Sequence, residues 1–462
     1  MFENDGNENR TMIQHIAKEI TSILKSKKLK SLLDAALCQK LQGDRVGDIA
    51  EVLRIAVEKS SLSLYRGEIY AFDGTIYRKM EKASYNAAIA AVMREIGVSN
   101  GDITSKQSQM RQTAYYGVVT KELNVKKNVI CYNNCVLDVY SGVASKFNKK
   151  HHVLYQLSYD YNKYADCKLW LKFINQMLPD KKVQMVVQEI LSLPFIDRKV
   201  AKIEKLFLFC GKGANGKSVI YDVMNDILGQ QNVQTFDISA LINGDESKWN
   251  IDAINQVSLN YCSEIDKKTI CSSRVKSLIS GEGITACKKG CKPYTARDMP
   301  FIIGNVNELP HTTDNTYGFF RRIMVVPFNT TIERGKEDLM LHEKLREELS
   351  GILNWILEGR ARLIKNGYRF THSEIIEEAT SGYEKNSNPA ITFMMDEGYN
   401  VKPLKQGDRY DDIAPKVLYE RYKEYCAKNL VFEVSENTFS RTLINKGYKD
   451  PDSRYYRLYK TK

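Results

Sequence analysis

Eight residues in the middle of the chain, Gly211-Lys212-Gly213-Ala214-Asn215-Gly216-Lys217-Ser218, have the types and spacing needed to hold a chain of phosphates. They fit the pattern G-x-x-x-x-G-K-[ST]. Glycines let backbone N–H groups turn inward onto oxyanions. The lysine reaches the β and γ phosphates, and the hydroxyl coordinates magnesium. Lys217 and Ser218 fill those positions, and Gly211, Gly213, Ala214, Asn215, Gly216 and Val219 form the cradle around them. ATP and Mg2+ are the expected ligands. A chance glycine-lysine turn is the plain alternative, but the context argues against it. Leu206–Cys210 is wholly apolar, as in a strand buried on both faces, and Val219–Leu228 reads as a helix ending at Gly229. That helix aims its positive N-terminal end at the same anion.

A phosphate loop alone does not separate a motor from a kinase or a GTPase. Three downstream features bear on that choice. Val257, Leu259 and Tyr261 alternate toward Glu264, a carboxylate at a strand end that can hold magnesium or activate the attacking water, with Asp266 close by. A surface acid after a strand is the competing reading. Phe301–Val306 leads to an amide that can sense the γ-phosphate. Asn307, before Glu308-Leu309-Pro310, is the first choice and Asn305 the alternative, against an asparagine that merely caps the turn. Arg321-Arg322 enter the apolar run Ile323–Phe328. Such arginines are usually surface pairs, yet one supplied to a γ-phosphate raises rates by orders of magnitude.

A fourth feature concerns a polyanionic partner. Ile284–Cys287 and Cys291–Thr295 flank Lys288-Lys289-Gly290, which reads as a β-hairpin with two lysines at its tip. Lys288 and Lys289, with Lys292 beside them, would grip phosphates regardless of sequence. An exposed charged turn is the bland reading.

The elements that must position these residues follow from periodicity. Ile13, Ile16, Ile20, Ile23 and Leu24 recur at helical spacing, and Lys25, Lys27, Lys28 and Lys30 follow as a solvated basic run. Residues 61–165 are mixed: Leu62–Tyr70 and Thr75–Tyr77 read as strands about Asp73-Gly74, and Asn128–Tyr140 as further strands before Ser141-Gly142. This stretch shows no recognisable chemistry of its own. Cys167–Met177, Lys182–Leu193 and Ser350–Leu363 read as helices, and residues 206–330 alternate strand with helix, as in an α/β sheet that binds ligands at its C-terminal edge. Pro389–Gly398 begins a break. Beyond it, Val417–Lys428 and Asn437–Lys446, capped by Ser435, read as helices and Tyr455–Tyr459 as a strand, with Phe439 and Leu443 inward and Arg441, Asn445 and Lys446 outward. Helix, helix, strand is the order of a winged helix, which binds duplex DNA or docks a protein.

Bulk properties agree with a polyanion-binding protein. The 462 residues carry a net charge of +12 and suit two to four domains. No stretch of 18 apolar residues occurs, and Met1–Arg10 lacks the basic start and apolar core of a secretion signal. Ten cysteines without a Cys-x-x-Cys pair fit a reducing cytoplasm, and neither Cys131/Cys135 nor Cys287/Cys291 completes a zinc site. A cytoplasmic location and no membrane partner are expected.

Taken in order and spacing, these pieces resemble superfamily 3 helicases, and within them the primase–helicases typified by the phage P4 and poxvirus D5 proteins. The matching residues are 211–218, Ser263-Glu264, Asn307-Glu308-Leu309-Pro310, and Arg321-Arg322 before Val325-Val326-Pro327-Phe328. Asn133-Asn134-Cys135-Val136-Leu137-Asp138 and Cys167–Met177 match upstream, and Leu345–Gly359, with Glu348–Trp355 inside it, downstream. The resemblance covers residues 65–462. It implies an AAA+-type motor over residues 166–375, preceded by a helical segment (1–60) and a D5 N-terminal-like mixed α/β domain (61–165), and followed by a winged helix (385–462). It implies an ATP-dependent 3′–5′ DNA helicase, a homo-hexamer acting on single-stranded and forked DNA beside a separate primase or polymerase, in replication of a phage, plasmid or other mobile element. Arg322 is then the finger reaching the neighbouring subunit's nucleotide, and the lysine hairpin faces the ring channel. Two departures stand out. No acid directly precedes Glu264, and too little chain precedes residue 65 for a primase, so a helicase without primase activity is expected. The runner-up is an ATP-switched origin-binding initiator that melts DNA without processive unwinding. A small-molecule phosphotransferase would explain neither Arg321-Arg322 nor the hairpin.

Overall fold

The computed structural model describes residues 2–38, 46–98, 104–125, 128–198, 200–255, 257–263, 265, 273–310, 312, 316–333, 335, 337–387, 389–401, 410–429, 433–449 and 453–460. The chain divides into two compact units, residues 1–163 and 164–462. Both are mixed α/β. Among the described residues no helix is long and apolar enough to cross a membrane.

The first unit opens with helices α1 (Phe2–Leu24), α2 (Lys27–Cys38) and α3 (Val46–Lys59). Strands β1 (Leu62–Tyr65), β2 (Glu68–Phe72) and β3 (Tyr77–Met80) follow, then α4 (Lys82–Glu95), α5 (Thr104–Val119), β4 (Val129–Cys131), β5 (Val136–Asp138) and β6 (Val143–Ser145). Ile16, Ile20 and Leu24 are fully buried, as their spacing predicts, and share one core with Leu53, Leu62, Ala88 and Ala114. Lys25, Lys27, Lys28 and Lys30 are exposed, and Lys25 pairs with Glu95 at 2.9 Å. Helix α5 lies close on α3 because residue 117 is glycine: a Cβ there would stand 2.4 Å from the Arg54 carbonyl oxygen. One sequence expectation is corrected. Leu62–Tyr70 is not a single strand but a hairpin turning at Arg66 and Gly67, both left-handed (φ 52° and 77°). An arginine at such a position gives no compositional sign of a turn.

The second unit starts with α6 (Lys168–Met177) and α7 (Lys181–Leu191). Then come β7 (Leu206–Cys210), α8 (Lys217–Leu228), β8 (Val233–Gln234), α9 (Ile238–Ile242), α10 (Ser247–Ile254), β9 (Leu259–Cys262) and α11 (Ser273–Ser280). The hairpin β10 (Ile284–Ala286) and β11 (Tyr294–Ala296) leads to β12 (Phe301–Val306), α12 (Tyr317–Phe320) and β13 (Ile323–Pro327). Helices α13 (Leu341–Arg346), α14 (Leu349–Lys365) and α15 (Glu374–Asn386) follow. The five long-range strands form one parallel sheet in the order β13-β7-β12-β9-β8. From β7 the chain runs to the far edge at β8, returns through β9 and β12, and crosses to β7's other side at β13. The strand order therefore reverses around β7, and in open α/β sheets ligands bind at the carboxyl ends of strands at such a point. Helix α6 is anchored from a distance: the Glu348 carboxylate accepts from the backbone N–H groups of Leu169 (3.0 Å) and Trp170 (2.9 Å), satisfying two donors of its first turn.

Residues 389–460 carry their own apolar cluster. Helix α16 (Pro389–Asp396), β14 (Tyr399–Asn400), β15 (Tyr410–Ile413), α17 (Pro415–Asn429), α18 (Glu436–Asn445) and β16 (Tyr456–Lys460) form it, with an antiparallel sheet in the order β14-β16-β15. The break expected from Pro389 onward is instead a helix. Pro389 occupies its first position, where a missing N–H costs no hydrogen bond. Ser435 accepts from the Thr438 N–H to cap α18, Phe439 and Leu443 are fully buried, and Arg441, Asn445 and Lys446 face outward.

Candidate active site

The loop 211–218 joins β7 to α8 at the carboxyl end of the sheet. Gly213, Ala214 and Gly216 all have left-handed backbones (φ 103°, 47° and 77°), which bend the chain tightly into the helix. Gly216 is the N-cap of α8, and a Cβ there would meet the Phe173 ring of α6 at 2.7 Å. Only glycine supplies both that backbone and that space. The loop is tied down on two sides. The Gly211 N–H donates to the Val306 carbonyl at the end of β12 (3.0 Å), and the Ile332 N–H, past β13, donates to the Ala214 carbonyl (2.7 Å). Buried Asn215 accepts from Lys217 Nζ at 3.0 Å and donates through Nδ2 to the Phe328 carbonyl at 3.4 Å.

Lys217 is only 6% exposed, and its ammonium also donates to the Gly211 carbonyl. It is thus folded over the loop that it would serve. Lys212, Ala214 and Ser218 are exposed, with Ser218 in the first turn of α8 and Val219 half-buried behind it. No atom lies within 4 Å of where a Gly213 Cβ would sit, so the loop's outer face is open. Left-handed glycines, a lysine across the loop and a hydroxyl at a helix start fit a magnesium-bound triphosphate.

The neighbouring strand separates the two candidate asparagines. Asn305 is buried in β12, where its Oδ1 accepts from the Tyr261 hydroxyl at 3.1 Å and its carbonyl accepts from the Ile265 N–H at 2.9 Å. Burial raises the Tyr261 phenol well above its ordinary range, so it remains a neutral donor. Asn307 is exposed, one residue past Val306, whose carbonyl binds Gly211. Asn305 thus has a structural bond, and Asn307 stands past the end of β12, next to the residue that holds Gly211. Glu264 and Asp266 lie outside the described residues.

Arg321 and Arg322 precede β13, which pairs with β7, and so lie at the amino ends of the strands, opposite the loop. The Arg322 side chain is 12% exposed, with Nε donating to Ser280 Oγ at 2.9 Å, Nη1 to the Gly318 carbonyl, and Nη2 3.4 Å from Glu204. Arg321 is 44% exposed and meets Glu204 at 3.0 Å. Burial works against ionising the Glu204 carboxyl, but the Lys202 hydrogen bond and the Arg322 and Arg321 charges outweigh it and hold it below its usual range.

The lysine hairpin forms, though with shorter strands than expected: Ile284 pairs with Ala296 and Ala286 with Tyr294, leaving 287–293 as its connection. Lys288, Lys289 and Lys292 are exposed on it, and Gly290 is left-handed (φ 79°). Sequence reasoning overlooked the surface beside it. The Lys248 carbonyl of α10 accepts from the Cys287 N–H at 3.0 Å, and Tyr294's hydroxyl donates to Asp252 of α10 at 2.6 Å. Trp249 stands between, 37% exposed, with Lys248 and Lys289 ammonium groups 5.6 and 6.0 Å from its ring. An exposed tryptophan next to a lysine on a short helix was the available signal.

Residues 6–179 match the family described as D5 N terminal like, and residues 209–322, from the glycine loop to Arg322, match a family of unknown function, DUF5906. The chain is 23% identical over 382 residues to the Acanthamoeba polyphaga mimivirus protein named Putative helicase L207/L206. That match takes in 76% of this chain and spans only 38% of the mimivirus protein's length. Among solved structures, the apo NrS-1 C terminal region is similar at 13% identity and a TM-score of 0.47, covering 87% of this chain and 96% of that one. A second apo structure of that region, residues 305–718, gives 12% identity and a TM-score of 0.46, covering 91% and 100%.

Proposed function

From the chain's membership of the D5-like primase–helicase family, we propose that it is the ATP-driven motor of a replication helicase. In this reading residues 166–375 are an AAA+-type P-loop engine, 385–462 a winged helix, and six copies form a ring that moves 3′ to 5′ on single-stranded and forked DNA. It serves a phage, plasmid or other mobile element beside a separate primase or polymerase. The observation that carries the proposal is the position of the glycine loop: it leaves β7 where the strand order reverses, with Asn307 at the end of the adjoining strand β12.

Lys217 exchanges its bonds to Gly211 and Asn215 for the β and γ phosphates, which stabilises the charge that develops during transfer. Ser218 with Glu264 would hold magnesium, which would supply further charge neutralisation when bound. Asn307 orients the attacking water or reads the γ-phosphate. Arg322 stabilises the same charge from the next subunit. Lys288, Lys289 and Lys292 hold DNA phosphates, with Trp249 beside them as a stacking surface. ATP-dependent displacement of a strand from a forked duplex is the test; ATP hydrolysis without displacement at any protein concentration would favour a melting initiator instead.

A further inference from the structure

We propose that the first unit contains a nucleotide-binding cleft between α4 and α5. The cleft has a volume of about 620 Å³ and is lined by Lys82, Tyr85 and Asn86 from α4 and by Ser108, Arg111, Gln112, Tyr115 and Tyr116 from α5. Its lining among the described residues lies within 82–116 and is independent of the motor assignment.

The helices present these residues for a physical reason. Ser108, Arg111, Gln112 and Tyr115 recur at i, i+3, i+4 and i+7, one face of α5. The opposite face, Met110, Ala114, Gly117 and Val118, is spent on packing in the unit's core and against α3. On α4, Lys82, Tyr85 and Asn86 repeat the same spacing toward α5. The polar face of α5 is therefore a wall, not an incidental surface.

The lining specifies the ligand. Tyr116 is 54% exposed, and Tyr115 is half-buried with its ring 6.0 Å from Tyr85 in an edge-on arrangement. Aromatic faces of this kind stack any base. Asn86 and Gln112 offer donor and acceptor together, as a base edge requires. Lys82 and Arg111 bring two positive charges, and no acidic residue lines the cleft among the described residues. Tyr85 is 2% exposed, and its hydroxyl has no hydrogen-bond partner among the described residues. That hydroxyl is closed off from the surface, so Tyr85 contributes its ring to the lining. Stacking faces, amides and cations together, without an aliphatic floor, suit a base joined to phosphate: one nucleotide unit of a single strand, or a free nucleotide.

The test uses the full chain without ATP, carrying Lys288→Ala and Lys289→Ala so that the hairpin contributes little. Fluorescein-labelled oligothymidylate is titrated against this parent and against the parent with Tyr116→Ala and Arg111→Gln, followed by anisotropy; Gln112→Ala, at an exposed position, is a second variant. Removing a stacking face and a phosphate contact should weaken binding roughly tenfold or more. Competition with dTMP separates the sources: displacement at matched nucleotide concentration identifies a free nucleotide, and its failure identifies the strand. No binding by the parent, or equal binding by parent and both variants, overturns the proposal whatever the motor does.

Discussion

Lys217 follows the carboxyl end of β7 and Arg322 precedes the amino end of β13, so the two flank opposite ends of a pair of adjacent parallel strands. The Leu206 N–H, at the start of β7, donates to the Arg322 carbonyl at 2.8 Å, and the Phe328 N–H donates to the Cys210 carbonyl at 2.6 Å where the glycine loop begins. A five-residue strand lies between these two ends, roughly 16 Å of chain. That separation supports the proposal that Arg322 acts on the nucleotide of a neighbouring subunit. Arg322→Ala and Lys217→Ala should each be inactive alone. Mixed, they form interfaces that pair an intact lysine with an intact arginine, and ATPase activity should return at concentrations where rings assemble. Mixed rings without activity would remove Arg322, whose guanidinium is already bonded to Ser280 and Gly318, and leave the more exposed Arg321 to be tested.

The two asparagines of β12 should fail differently. Asn307→Ala should lower ATP turnover at least tenfold with an unchanged melting temperature, because Asn307 is exposed past the end of β12 and, in the proposed mechanism, acts on the γ-phosphate. Asn305→Ala strips the buried Tyr261 hydroxyl of its acceptor and should destabilise the protein by about 1–3 kcal/mol. Thermal melts read beside steady-state ATPase rates separate the effects; equal loss of turnover with no loss of stability in Asn305→Ala would reverse the assignment.

Lys288→Ala with Lys289→Ala should weaken single-strand binding and spare basal ATPase. Each lost phosphate contact should flatten the log–log salt dependence by ~0.7. Trp249→Ala should weaken binding at every salt concentration without changing that slope, since stacking releases no counterions. A salt slope that stays the same in the double lysine variant places the hairpin away from DNA.

Arg441→Ala with Asn445→Ala, both on the exposed face of α18, should reduce duplex binding severalfold while leaving ATPase and single-strand affinity as they are. Full retention of duplex binding would make residues 385–462 a protein-docking module.

What was legible in the sequence is what short covalent spacing determines. The glycine loop, the flanking strand and helix, the lysine hairpin, the Ser435 cap and the inward Phe439 and Leu443 depend on residues a few positions apart, and the expectations for them match the structure. Pairings across long separations were not legible. Glu348 caps α6 from 179 residues away, and Glu204 draws Arg321 from 117 away; neither acid looks unusual in its own segment. The Asn305/Asn307 ambiguity had the same origin, because only the fold places Tyr261 against Asn305. The α4–α5 cleft escaped notice because Gly117, which lets α5 lie on α3 and leaves the polar face outward, reads in sequence as a helix weakener.

If the proposed function holds, nucleotide bound at Lys217 drives unwinding. The direct measurement is displacement of a labelled strand from a forked duplex, with ATP and Mg2+, by the wild-type chain and by Lys217→Ala. Lys217 pairs with loop atoms and not with the apolar core, so the variant should fold and bind DNA as the wild type does. The wild type should displace the strand and the variant less than about a tenth as much, in step with a similar loss of ATP hydrolysis. A folded Lys217→Ala protein that unwinds and hydrolyses at near wild-type rates would contradict it.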